Sequence, residues 1–182
     1  MVSGFTTEKM PFRTSSIVTS KDMMLRGLTI DNRTGNGISK NTDSFDLTKN
    51  THVTITGNKI YNQDDYLAMQ SSANTVFSNS YCCVLSVQIE NSDNGIRIKT
   101  IIGLKGLVPD AKYVQNTLSN VKNATVIHSD SSKAKGGYTD SPTTRMAIKG
   151  VDVNEFRLLH YYWTVLRFVA LIKYCFYSNL VT

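Results

Sequence analysis

The chain has little of what usually fastens a small protein covalently. Its 182 residues hold three cysteines, Cys82, Cys83 and Cys175. That number makes no disulfide framework, and no zinc-ligand spacing accompanies it. Adjacent Cys82 and Cys83 read as two ordinary thiols, or as one bridged and one not. Met1 to Ser16 lacks the apolar core of a secretory leader, so no signal peptide is expected there. A dense basic cluster is missing too. The formal net charge is +6, which attracts polyanions, but the lysines and arginines are scattered rather than gathered into a nucleic-acid footprint. Nucleic acid is therefore not an expected partner, while other polyanions stay open. The most hydrophobic stretch, Glu155 to Thr182, is interrupted by Arg167 and Lys173. It falls short of the roughly 20 mostly apolar residues of a spanning helix, so no membrane partner is expected.

What the chain does have is a repeat. Ile30-Asp31-Asn32, Ile60-Tyr61-Asn62, Ile89-Glu90-Asn91 and Leu118-Ser119-Asn120 recur at steps of 30, 29 and 29 residues. The second and third copies continue in parallel, with Asn62-Gln63-Asp64-Asp65 beside Asn91-Ser92-Asp93-Asn94, then Leu67 and Met69 beside Ile96 and Ile98. Periods of about 20 to 50 residues mark solenoids, propellers or arrays. These units are rich in Val, Ile, Thr and Asn and carry no helical period. The pattern predicts an all-β parallel β-helix in which each unit forms one coil. Stacked strands lie about 4.8 Å apart, so side chains at matching positions of successive coils become neighbours.

Asn41 to Met69 holds the residues of greatest chemical interest: Asp43, and the adjacent pair Asp64 and Asp65. They are 21 and 22 residues apart, and coil stacking is what would bring them together. Crowded carboxyls cannot all ionise cheaply, so one proton is retained and the cluster can act as acid and base. Taken alone, Asp64-Asp65 reads first as an ordinary turn following Asn62-Gln63; with Asp43 and the repeat beside it, the functional reading leads. Arg97 and Lys99 have strand spacing, so both leave one face while Ile96 and Ile98 point inward. They read as a solvated strand face or as a carboxylate-binding pair. Asn41, Asn62 and Asn91 are expected at turns, as a hydrogen-bonded ladder along the solenoid. The histidines, His52, His128 and His160, read as structural or exposed.

Asn41-Thr42-Asp43, Gln63-Asp64-Asp65 and Arg97-Ile98-Lys99, in this order, resemble the NTD, QDD and RIK motifs of polygalacturonases, the family 28 glycoside hydrolases. The likeness is greatest to oomycete and fungal members and covers roughly Ser15 to Val153. The resemblance implies a right-handed parallel β-helix and an inverting hydrolysis of 1,4-α-D-galacturonan in pectin, without a cofactor or metal. It implies Asp64 as general acid, Asp43 and Asp65 as the groups that hold and deprotonate water, and Arg97 and Lys99 as ligands of the galacturonate carboxylate. It further implies a secreted, extracellular and monomeric enzyme. The sequons Asn32-Arg33-Thr34 and Asn123-Ala124-Thr125 are compatible with secretion.

The chain departs from the family pattern in four ways. A coil carrying a Gly-His-Gly motif, expected between the QDD and RIK coils, is absent, and its histidine with it. Tyr66 stands where a cysteine would bridge to the position of Cys82. Ser131 stands where a substrate-stacking tyrosine is expected after His128-Ser129-Asp130. Both ends of the solenoid are expected to be missing or replaced, leaving residues 1–154 as a partial β-helix and residues 155–182 as an unrelated hydrophobic tail. That tail reads as a capping helix, a poor membrane anchor or a translated frameshift or intron. Weak or absent hydrolysis is therefore expected. The alternatives are a catalytically inactive β-helix that binds acidic polysaccharide, and a non-functional gene product.

Overall fold

A computed structural model describes residues 1–35, 38–39, 41–84, 94–102, 105–119, 123–132, 134, 137–139, 145–159, 164–169 and 178–181. Apart from one short 3-10 turn at Arg33–Gly35, the regular structure of these residues is β-strand. The ladders are parallel, except for one antiparallel pairing between Asn123–Ser132 and Gly137–Tyr138. The chain winds through three faces and returns to the first, so that it forms a parallel β-helix. On the first face, Ser15–Val18 pairs with the start of Phe45–Thr56, which pairs with the start of Leu67–Ser78. Asn94–Ile101, Asn123–Ser132 and Thr164–Val169 continue that stack.

Strand alternation sends every second side chain into the solenoid, and register lines these up as columns. Ile17, Leu47, Met69, Ile98 and Ile127 form one column on the first face. Leu25, Ile55, Phe77, Tyr113 and Val153 form the column of the second face. Ile30, Ile60, Cys82 and Leu118 form that of the third. All of these side chains are buried, so the core is continuous along the axis rather than gathered at one centre. Tyr66, in place of the expected cysteine, is fully buried as well.

The repeat therefore finds its register at Ile30–Ile60, Leu67–Ile96 and Met69–Ile98. It fails at the third face after Ile60, whose neighbour on the next coil is Cys82 and not Ile89. The coil from Phe45 to Leu67 takes only 22 residues, so a constant ruler of 29 overshoots it. Residues 89 and 91 lie outside the described residues.

Three other stretches also add strands. Met1 to Arg13, polar and without pattern, contains the short strands Val2–Ser3 and Thr6–Glu8. They form because stronger strands, Lys21–Arg26 and Thr29–Asp31, present open edges to them. Lys105–Pro109 is a strand paired with Arg145–Lys149. Beyond residue 155 the described residues are strand, not helix: Asp152–Leu159, Thr164–Val169 and Ser178–Val181 stack in parallel register on earlier rungs. Among the described residues no helix is long and apolar enough to cross a membrane.

Asparagines hold the corners, though mostly not those expected. At one corner Gly27, Gly57, Asn79 and Gln115 have positive φ, the left-handed bend that lets the strand turn. The next residues form the ladder. Asn58 Oδ1 accepts from Leu28 N at 2.9 Å, and Ser80 Oγ accepts from Asn58 N at 3.3 Å. Asn116 Oδ1 accepts from Ser80 N at 3.1 Å, while its Nδ2 donates to Phe77 O at 2.9 Å. Asn116 is fully buried, so Asn116→Ala strands a backbone amide and a carbonyl away from water. We expect a loss of about 1–3 kcal/mol, measured as a lower urea midpoint at unchanged slope.

Candidate active site

The site lies where the first face begins, at the loops leading into Phe45–Thr56 and Leu67–Ser78. Phe45 and Leu67 are register partners and both are fully buried. The residues just before them, Thr42 to Ser44 and Gln63 to Tyr66, are therefore held side by side. Ser44 N donates to Asp65 O at 3.0 Å, directly across the two loops. Asn62 Nδ2 donates to Thr42 O at 3.0 Å and to Ser44 Oγ at 2.8 Å. Thr42 Oγ1 donates to Gln63 Oε1 at 3.2 Å, and Gln63 Nε2 donates to Asn32 O at 2.6 Å. Thr42 and Gln63, with Asn62 and Ser44, thus serve as struts: they are polar, buried and hydrogen-bonded, which fixes the loops that carry the acids. Asn41, expected in a ladder, is exposed at a left-handed bend instead.

Those struts bring Asp43, Asp64 and Asp65 together, with a carboxylate oxygen of each within 4.8 Å of the others. Asp43 and Asp65 are buried and Asp64 is half-buried. Asp64 Oδ1 accepts from Asp65 N at 2.8 Å, which orients the outermost carboxylate. Burial, then the charges of Asp64, Asp65 and Asp46, pushes the Asp43 carboxyl up to about 8. Burial and crowding thus drive Asp43 toward its protonated form, in a cluster whose acids titrate together. Oxygens so arranged could hold a hard cation, but a guanidinium already stands among them.

That guanidinium is Arg97, whose Nη1 lies 2.9 Å from Asp65 Oδ2. The pair is buried, with 12% of the Arg97 side chain and 2% of the Asp65 side chain exposed. Arg97 and Lys99 leave the same strand face while Ile96 and Ile98 enter the core. Lys99 is half-buried and forms no ion pair among the described residues. The RIK strand stacks directly on the QDD rung, Ile96 on Leu67 and Ile98 on Met69.

Two participants escaped the sequence reading. Asp46 is buried one strand position after Phe45 and hydrogen-bonds the Asp43 carboxyl. Burial pushes Asp46 above the usual carboxylate range, while Arg13 and Lys99 work against that rise. Arg13 Nε forms an ion pair with Asp46 Oδ2. Asp46 could have been found, because alternation in Phe45-Asp46-Leu47 turns it outward on the face that carries Asp43. Arg13 lies in a loop with no pattern to mark it.

The structure thus sets a crowded carboxyl cluster on one face of a parallel β-helix. Comparisons with known proteins identify the family. The model of the glycosyl hydrolases family 28 matches residues 1–84 and 83–157. The chain is 33% identical over 168 residues to an endo-polygalacturonase of Sclerotinia sclerotiorum, covering 80% of this chain and 44% of the relative. It is 32% identical to a polygalacturonase of Saccharomyces cerevisiae, covering 85% and 47%. It is 36% identical to a probable endopolygalacturonase I of Aspergillus flavus, covering 84% and 47%. The chain belongs to glycosyl hydrolase family 28, and it spans about half the length of the curated relatives it matches.

The raised Asp43 has a consequence for stability. The folded chain keeps this proton up to about pH 8, whereas an unfolded aspartate releases it near 3.8. Between those values the folded state binds more protons, so stability falls as pH rises through the window. The slope is on the order of 1 kcal/mol per pH unit. We expect Asp43→Asn to flatten that decline, measured as the denaturation midpoint at pH 4 to 8. An equally steep decline in the variant would place the proton elsewhere.

Proposed function

We propose that the chain carries the acid–base site of a polygalacturonase-like hydrolase acting on 1,4-α-D-galacturonan in pectin, outside the cell, as a monomer and without a cofactor. The observation that supports this reading best is the convergence of Asp43, Asp64 and Asp65 within 4.8 Å. Asp64 is the acid of the trio that is half-exposed, and it would protonate the leaving glycosidic oxygen. Asp43, whose carboxyl burial and neighbouring charge drive toward the protonated form, would resupply it. Asp65, ionised against Arg97, would draw the proton from the attacking water. The RIK strand brings positive charge to the face that carries the acids, as a galacturonate carboxylate requires.

The inverting course follows from the family resemblance rather than from spacing. Inverting pairs generally stand about 6.5–9.5 Å apart, and these oxygens are closer. The anomer released first, followed by NMR, tests that course.

A second reading, binding of acidic polysaccharide without turnover, is favoured by the direct stacking of the RIK strand on the QDD rung. That stacking leaves no rung between them to carry the histidine of the family pattern, and we propose that hydrolysis is slow for this reason. Reducing-end release from polygalacturonate separates the two readings. We expect slow release that Asp64→Asn lowers by about 100-fold or more. Release indifferent to both Asp64→Asn and Asp43→Asn would sink the hydrolase reading, and binding with no release at all would establish the second.

A further inference from the structure

The paired cations of the RIK strand do not have equal freedom to meet a substrate. Arg97 is register partner to Ala68, and Ala68 to Asp46. Ala68 is buried and small, so the long Arg97 side chain can lie back over it toward the acid loops. There the guanidinium meets Asp65 at 2.9 Å, and nearly the whole pair is withdrawn from water. Lys99, two residues on, turns to the same side, half-exposed and without an ion pair among the described residues.

We propose that Arg97 is the internal counter-ion of Asp65, a positioning residue, and that recognition of a uronate carboxylate falls to Lys99. This rests on the polyuronate reading above and divides the roles within it. For Arg97 to clamp a substrate carboxylate it would have to leave Asp65, stranding a buried anion beside Asp43 and Asp64. Kept in place, the guanidinium holds Asp65 ionised and oriented. It also biases the shared proton toward the far side of the cluster, where Asp46 and its partner Arg13 stand. The titratable groups facing this pair are Asp64, Asp43 and, beyond them, Asp46 with Arg13 and Lys99. The ligand consequence concerns specificity. A single ammonium is a point charge, whereas a guanidinium fork reads the plane of a carboxylate. The cleft should therefore sense uronate charge and be indifferent to how the carboxylate is turned.

The test uses the full chain and trigalacturonate as the probe. Calorimetric binding is compared for Arg97→Gln and Lys99→Gln, and a urea double-mutant cycle is run on Arg97→Gln and Asp65→Asn. We expect Lys99→Gln to weaken binding about tenfold or more, Arg97→Gln to change it little, and the cycle to be strongly non-additive. Arg97→Gln weakening binding as much as Lys99→Gln, or an additive cycle, would overturn the assignment. Where Arg97→Gln does not fold, Arg97→Met, which keeps the long stem and loses the charge, carries the binding arm with the same expected outcomes. If the unaltered chain binds no trigalacturonate, the polyuronate reading falls, and the cycle alone decides whether Arg97 and Asp65 are coupled.

Discussion

The site depends on one register, Phe45 opposite Leu67. Both side chains are buried in the same column, and a slip of one residue would turn each of them outward. Hydrophobic burial therefore decides which residues of the preceding loops face each other. The Ser44 amide then bonds the Asp65 carbonyl, and Asn62 ties down both Thr42 and Ser44. The acids contribute nothing to this alignment and oppose it, since three carboxyls packed within 4.8 Å repel. The apolar columns and the polar struts hold together what electrostatics would separate.

The cluster relieves that repulsion in two ways, and their placement gives the site its polarity. At one end Asp65 is neutralised by Arg97. At the other, burial drives Asp43 toward its protonated form, and it shares a hydrogen bond with Asp46, which in turn pairs with Arg13. Asp64 stands between, half-exposed, its oxygen held by the Asp65 amide. Chemically identical side chains are thus given different surroundings, one beside a guanidinium and one beside a buried carboxyl.

Much of this was legible in the sequence, and the misses have physical causes. Leu67 over Ile96 and Met69 over Ile98 could be read because inward columns demand apolar residues at matching positions. The nearness of Asp43 to Asp64 and Asp65 followed from stacking alone. Ile60 over Cys82 could not be read from a period, since coil length varies with the loops while the strands keep step. The short strands of the first eight residues were invisible because they are templated by edges beneath them rather than by their own propensity. Arg13 and the direction of Arg97 were hidden for another reason. A long side chain chooses among partners in three dimensions, and no spacing rule records that choice.

A solenoid treats its core and its site differently when rungs are added or taken away. The inner columns repeat from rung to rung, so Leu67 accepts Ile96 as an aliphatic neighbour, and both are fully buried. The outer face does not repeat. Asp46, Ala68 and Arg97 occupy matching positions there, acidic, apolar and basic in turn, so a change in rung number changes which groups meet. Arg97 reaches Asp65 because Ala68 alone separates its position from that of Asp46 along the face. The core can therefore record a change in rung number as a small perturbation while the same change rewires the electrostatics of the cleft. In this fold, stability and catalysis are read from opposite faces of the same strands, and what preserves one gives no protection to the other.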